Sequence, residues 1–329
     1  MKQALVIMPN FYAYSVEVKK ELEDRGYCVS LYYEQPPNIL YLIMRRMSRW
    51  FKTEAFFEWF SSSLYNRIRK EKTKYDFFLV IRGNVITENT IDKIKTNLLQ
   101  SGARNVYYTW DSLAFLYHKG NLGFKFGQRF TFDSKDAKEN EGWELLPLFY
   151  SDAFDGDKHE KGDDYKYDLC CIAGFNETRY SVIKKIEEQN PKLKLYVRLY
   201  IGEKLFRYKK ALHPLYRKLD MNWISFKSLS PEEVAKINSD SKIILDYTAK
   251  NQIGLSMRTI EAIGLRRKLI TNNKAVKSYE FYNDNNVYCI DIQNEDYKIP
   301  QEWINGEYKE NESIRKRYSI KNWLSALIG

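Results

Sequence analysis

The sequence has no apolar run approaching the roughly 20 residues that cross a bilayer, so no membrane-spanning helix is expected. The opening stretch, Met1-Lys2-Gln3-Ala4-Leu5-Val6-Ile7-Met8-Pro9, carries one lysine and too short an apolar segment for a signal peptide. It reads as a first buried strand. Cysteine is scarce: Cys28, Cys170, Cys171 and Cys289 fall in or beside predicted strands, without the paired spacing of a metal site. They are expected to be buried thiols, which suits a reducing cytoplasm. Histidine is scarcer still, with His118, His159 and His213 only. Short-period repeats and low-complexity tracts are missing.

What is present points to a large globular chain. Its 329 residues, 44% of them hydrophobic, are long for one core and comfortable for two. The net charge of +10 implies an acidic partner surface. Nucleic acid, anionic lipid and nucleotide phosphates all qualify, and charge alone does not choose among them.

Taken in order, the chain shows two similar halves. Ala4–Met8 is an apolar run of the kind found in a parallel strand covered on both faces. A helix follows with Tyr14, Val18 and Leu22 on one face, and Gly26 ends it. Further strands are expected at 28–33, 77–81, 106–109 and 130–132, with helical stretches between them. The pattern implies βαβ units and a parallel sheet. Residues 151–167 are polar, acidic and turn-rich, and read as a linker between domains. Asp155-Gly156-Asp157 matches an Asp-x-Asp metal motif, but in a charged run rather than at the end of an apolar strand, so linker is preferred. Strands are expected again at 167–173, 193–201, 223–226, 243–246, 268–271 and 287–292. Ser230-Pro231-Glu232-Glu233 carries the signature of a helix start. Ser313 to Ile328 reads as one basic amphipathic helix that packs back across the domains. The fold class is therefore α/β, two Rossmann-like domains: 1–150, then a linker at 151–167, then 168–310, with the C-terminal helix at 311–329.

Two turns could hold an anion. The apolar run Ile243–Leu245 ends in Asp246, and Asn251-Gln252-Ile253-Gly254-Leu255-Ser256-Met257-Arg258 then leads into a helix. A helix start presents free N–H groups and the positive end of a dipole, so a diphosphate fits there and Arg258 adds charge. Glu261 lies one turn later on the same face and could accept ribose hydroxyls. Equally, Gly254 and Ser256 could simply start a helix whose Arg258 and Glu261 form a surface pair. Gly174-Phe175-Asn176-Glu177-Thr178-Arg179 is a second such turn. Arg179 is either a diphosphate ligand or a solvated helix arginine.

Gln252-x-Gly254-Leu255-Ser256-Met257-Arg258-Thr259-Ile260-Glu261-Ala262-Ile263-Gly264, followed by Lys268-Leu269-Ile270-Thr271-Asn272-Asn273, resembles the donor-site segment of GT-B bacterial glycosyltransferases of lipopolysaccharide and capsular polysaccharide biosynthesis. More distantly it is similar to CgeB-like and family-4-like transferases. The likeness extends to Val80-Ile81-Arg82-Gly83, Tyr107-Tyr108-Thr109-Trp110-Asp111-Ser112, Phe132-Asp133-Ser134-Lys135-Asp136 and to Leu145, Pro147, Leu148, Phe149 and Tyr150. It implies a GT-B architecture whose domains face each other across a cleft. It also implies a nucleotide-sugar donor, UDP-linked, a glycan or lipid-linked glycan acceptor, no cofactor and no metal. Donor contacts would come from Gly174, Arg179, Gln252, Gly254, Leu255, Ser256, Arg258 and Glu261. The acceptor side would be lined by Asn10, Tyr12, Arg82, Gly83 and Ser112.

An inverting transferase needs a base for the acceptor hydroxyl. Asp111 follows a strand directly and is the candidate, with a loop-capping role beside Ser112 as its competitor. His118 is the second candidate. The retaining family-4 pattern has two glutamates spaced by seven residues. Glu261 fits the second, but Ile253 stands at the first, which leaves the stereochemical outcome open.

The stretch 39–74 is basic and aromatic, an insertion between the second and third strands. It reads either as helices packed on the first sheet or as an anionic-membrane contact, which would make the protein peripheral on the inner membrane face. An epimerase-like nucleotide-sugar enzyme is the alternative function. A nucleic-acid binder is supported by charge alone, without a recognisable module, and nucleic acid is not an expected partner.

Overall fold

The computed structural model describes residues 1–10, 13–34, 54–159, 164–248 and 254–329. The chain forms two compact units: Met1–Leu148 with Ile320–Gly329, and Phe149–Ser319.

In the first unit, β1 (Lys2–Met8), β2 (Tyr27–Tyr33), β3 (Tyr75–Ile81), β4 (Leu99–Thr109), β5 (Gln128–Thr131) and β6 (Glu144–Leu145) form a parallel sheet, ordered β2-β1-β3-β4-β5-β6. Its helices are α1 (Tyr14–Asp24), α2 (Glu54–Ile68), α3 (Glu88–Leu98) and α4 (Ser134–Glu139). Ala4–Met8 and Phe78–Ile81 are wholly buried, as the continuous apolar runs require of central parallel strands. On α1, Tyr14, Val18 and Leu22 face the core as their spacing predicts, and Gly26 turns the chain at φ +84°.

In the second unit, β7 (Tyr167–Gly174), β8 (Leu195–Tyr200), β9 (Ile224–Ser225), β10 (Ser241–Asp246), β11 (Lys268–Thr271) and β12 (Val287–Cys289) form another parallel sheet, ordered β12-β11-β10-β7-β8-β9. Its helices are α5 (Glu177–Gln189), α6 (Glu203–Leu212), α7 (Pro214–Arg217), α8 (Pro231–Ser239), α9 (Met257–Gly264), α10 (Gln301–Asn305) and α11 (Glu312–Arg317). The helix start read at Ser230 is a full capping box: Ser230 Oγ accepts from Glu233 N–H, and the Glu233 carboxylate accepts from Ser230 N–H.

Three expectations need correction. The C-terminal stretch is two helices, α11 and α12 (Ile320–Ile328), not one. They are separated by Tyr318 and Ser319, where Tyr318 C=O accepts from Tyr150 N–H at 2.8 Å and Ser319 bridges Tyr150 in parallel. Only α12 belongs to the first unit, where Trp323 is 1% exposed and packs edge-on against Tyr108. Cys28 is exposed rather than buried, because β2 is an edge strand and alternate residues turn outward. Residues 151–158, read as linker, form two short turns within the second unit, with Phe154 buried.

That acidic turn is held by arginines. Arg315, 2% exposed, donates to Asp155 at 2.9 Å and to Asp157 at 2.8 Å, and Arg266 donates to Asp157 at 2.7 Å. The Asp-x-Asp carboxylates are thus occupied by guanidinium groups. Gly264 lets this turn approach α9: a Cβ there would lie 2.6 Å from the Phe154 carbonyl oxygen and 2.6 Å from Tyr150 Cγ.

The described part of the 39–74 insertion is mostly packed. Phe56, Phe57 and Phe60 of α2 cluster with Val85, and Leu64 and Ile68 join the core of the sheet, while Trp59 is exposed. Residues 39–53 lie outside the described residues. Among the described residues, no helix is long and apolar enough to cross a membrane.

Candidate functional site

Each sheet reverses its strand order once. Such a switch opens a crevice beyond the carboxyl ends of the two strands involved. In the second unit it lies between β7 and β10, and in the first between β1 and β3.

At the second unit's switch, β10 ends on Asp246, which is fully buried. A buried carboxylate must be matched by charge and donors. Arg258 Nη1 pairs with its Oδ1, and Ser256 Oγ and Thr259 Oγ1 each donate to Oδ2 at 2.7 Å. Arg258 Nε also donates to the Ile172 carbonyl in β7 at 3.0 Å. The start of α9 is therefore fastened to both strands of the switch. Burial opposes the Arg258 charge, but Asp246 outweighs it and holds the guanidinium above its ordinary pKa.

Arg179 makes a second bridge over the same two strands. It sits in the first turn of α5, where the Asn176 side chain accepts its backbone N–H at 3.1 Å. Nη1 donates to the Gly174 carbonyl at 2.5 Å and Nη2 to the Tyr247 carbonyl at 3.0 Å. Its buried Nε has no hydrogen-bond partner among the described residues. Burial, and then the neighbouring Arg258 charge, pull the Arg179 pKa down. Arg179 spends its hydrogen bonds on two carbonyls rather than on a carboxylate, so an arriving anion would be met by its charge and by two helix N-termini. Gly174 is exposed, and the space where a Cβ would stand is open.

Thr248, after β10, and Gly254, before α9, are each fastened to the turn after β11. Asn272 accepts from Thr248 N–H at 2.8 Å, and Asn273 Nδ2 donates to the Gly254 carbonyl at 3.3 Å. Leu255 is 2% exposed, Ser256 caps α9, and Glu261 is buried one turn after Arg258. Arg258 and Glu261 are thus not a surface pair. Gln252 lies outside the described residues, as does Tyr12.

In the first unit, three charged groups meet over the end of β1. Glu34, just past β2, is wholly buried and accepts from Asn84 N–H at 2.7 Å. Arg82, just past β3, places Nη1 3.4 Å from Glu34 and Nε 2.8 Å from the carboxylate of Asp111, just past β4. The Arg82 Nε contact is an ion pair off the hydrogen-bond direction, so charge rather than a linear bond holds it. Burial lifts the Glu34 pKa to about 7, against the lowering pull of Arg82. The turn that aims Arg82 uses two left-handed residues in succession, Arg82 at φ +68° and Gly83 at φ +61°. A Cβ on Gly83 would also lie 2.8 Å from Val80 Cγ1. Asp111 is 42% exposed at its side chain, and Asn10 is exposed at the end of β1. Ser112 does not cap with Asp111. It donates to Asp133 at 2.6 Å.

His118 is turned into the fold. Its Nδ1 accepts from Gly120 N–H at 3.2 Å, which assigns the proton to Nε2, 3.4 Å from Tyr107 Oη. Tyr107 in turn donates to the Arg82 carbonyl. Burial lowers the His118 pKa to about 4.

Sequence reasoning passed over Glu34, Tyr107, Asp246, Asn272 and Asn273 as site residues. The first and third carry a readable signal, a carboxylate placed directly after an apolar strand.

No family model matches the sequence, and no curated protein matches it. Solved structures do match in fold. A glycosyltransferase from Rickettsia africae ESF-5 superposes with TM-score 0.60 at 12% identity, over 99% of this chain and 97% of that one. The UDP-GlcNAc 2-epimerase of Methanocaldococcus jannaschii gives 0.58 at 10% identity, over 100% and 98%. An α-glucosyltransferase solved with UDP and a 13-mer DNA gives 0.57 at 12% identity, over 98% and 94%. The fold is the α/β, GT-B one of these proteins, two Rossmann-like units with parallel sheets.

Proposed function

We propose that this protein is a glycosyltransferase that takes a sugar from a nucleoside-diphosphate donor, UDP-linked by preference, in the building of a bacterial surface polysaccharide. The observation that carries the reading is the pair of arginines, Arg179 and Arg258, bridging the β7–β10 switch at two helix starts. Developing charge on a departing diphosphate is stabilised there by groups already in place, with little reorganisation. Glu261, the Gly254–Ser256 turn and Gly174 complete the donor side, together with Gln252. The solved proteins of this fold include several that use or hold UDP compounds, which agrees with the reading.

In the transfer, an acceptor hydroxyl forms a bond to the anomeric carbon as the bond to the diphosphate oxygen breaks. Asp111 takes the hydroxyl proton, oriented by Arg82. Asp111 is preferred to His118 because its carboxylate is exposed, whereas both imidazole nitrogens of His118 point to partners within the fold. Asn10, Tyr12, Gly83 and Ser112 would border the acceptor. The resemblance of the donor segment adds the substrate class: a glycan or lipid-linked glycan, worked on at the inner membrane face, with neither cofactor nor metal.

The test is product analysis with UDP-sugars and mixed saccharide acceptors. The expected result is free UDP together with a glycosylated acceptor, falling by about a hundredfold in Asp111→Asn. An epimerised nucleotide sugar without net transfer would instead establish the epimerase alternative. A loss smaller than about tenfold in the variant would remove Asp111 as base.

A further inference from the structure

The second unit carries an apolar stripe turned away from its core. On α6, Leu205 is 53% exposed, Tyr208 62% and Leu212 56%. At 100° per residue, positions i, i+3 and i+7 fall within an arc of about 60°. Phe206 is the buried anchor of the same helix. An amphipathic surface helix normally turns its apolar stripe to the core, and here that stripe faces outward. Scattered exposed apolar residues are ordinary, but three on one face of a ten-residue helix form a patch. Leu215 and Met221 are exposed further along the chain, at 37% and 47%.

The charge around the stripe has one sign. From 203 to 218 the cations are Lys204, Arg207, Lys209, Lys210, Arg217 and Lys218, against the single acid Glu203. Lys204 and Lys209 flank the stripe on the helical wheel. Glu203 is already paired with Arg207 at 2.6 Å. Arg217 donates to the Lys210 and Ala211 carbonyls at 3.1 and 2.8 Å, which ties α7 to the end of α6 and makes the two short helices one ledge.

We infer that this α6–α7 ledge docks on an anionic lipid surface. The apolar side chains enter the headgroup boundary, Tyr208 lies at its polar edge, and the lysines reach the phosphates beside them. A second copy of the chain would set like charges against each other, which disfavours self-association through this face. The inference gives the proposed inner-membrane location a docking surface, and it uses neither the residues of the donor and acceptor sites nor the 39–74 stretch, so the vesicle test and the product analysis fail separately.

The test is co-sedimentation with phosphatidylcholine vesicles, with and without phosphatidylglycerol, at low and moderate salt. The wild type is expected to bind the anionic vesicles and to release as salt rises. The triple variant Leu205→Ser, Tyr208→Ser, Leu212→Ser should bind about tenfold less or weaker still, with an unchanged melting temperature because all three side chains are exposed. Lys204→Glu with Lys209→Glu should remove the preference for phosphatidylglycerol. Wild-type binding retained in the triple variant would overturn the inference, because lipid contact would then lie elsewhere. So would a wild type that ignores both vesicle types, or a lipid-free dimer that the triple variant dissolves.

Discussion

Replacing Asp246 with alanine is expected to cost the second unit about 3–5 kcal/mol, the penalty for stranding a buried charge. The carboxylate has no solvent exposure and receives Arg258, Ser256 and Thr259 together. Its loss leaves the Arg258 guanidinium without its paired carboxylate, and takes from Ser256 and Thr259 the acceptor of their hydroxyls. At about 2–4 °C per kcal/mol for a unit of this size, the melting temperature should fall by about 10 °C. Arg258→Met placed on top of Asp246→Leu should recover much of that loss, since removing a buried pair together is far cheaper than breaking it. Denaturant unfolding of the single and double variants measures both. A single-variant loss below about 1 kcal/mol would mean that the pair is solvated, and that α9 is positioned by something other than Asp246.

The second large effect is a hidden pH dependence in the first unit. Glu34 titrates near 7 in the fold, above the ordinary 4.5, so its contribution to stability is complete below 4.5 and is lost as pH rises through 7. His118 titrates near 4 in the fold, below the ordinary 6.5, so its contribution is complete above 6.5 and is lost as pH falls through 4. Each shift corresponds to about 3 kcal/mol. The two slopes oppose each other between 4.5 and 6.5, and the wild type should look nearly flat there. Glu34→Gln should reveal stability that climbs by about 3 kcal/mol from pH 4 to 6.5. His118→Gln should reveal the reverse, a fall of about 3 kcal/mol from pH 4.5 to 7. Urea midpoints across this range decide it. Parallel slopes in the two variants would contradict the burial assigned to one group or the other.

The parallel-sheet fold was legible because its signals are local. Apolar runs such as Ala4–Met8 and Ile243–Leu245 become buried central strands, and the Ser230–Glu233 start becomes a capping box. The two-residue strand β6 was not legible, since a strand so short leaves no periodicity to read. The site was legible only in part. Arg179 and Arg258 lie 79 positions apart in the sequence, and only the β7–β10 pairing brings both to one end of the sheet. Apart from Asp246, which pairs with Arg258, their partners are backbone carbonyls of Ile172, Gly174 and Tyr247, which no side-chain motif announces. Glu34 was missed for a related reason: its meaning comes from Arg82 and Asn84, about fifty positions away. Cys28 shows the limit of reading burial from residue type, because an edge strand turns every second side chain outward.

The most direct test of the central claim is calorimetric titration of UDP into the wild type and into Arg179→Ala. If the paired arginines receive the diphosphate, the wild type binds at one site and the variant loses about 1.5–3 kcal/mol, roughly ten- to a hundredfold in affinity. The ligand-free melting temperature of the variant shows that its fold is kept. Equal affinity in both proteins, or no heat with the wild type, would contradict a nucleotide site at the β7–β10 switch.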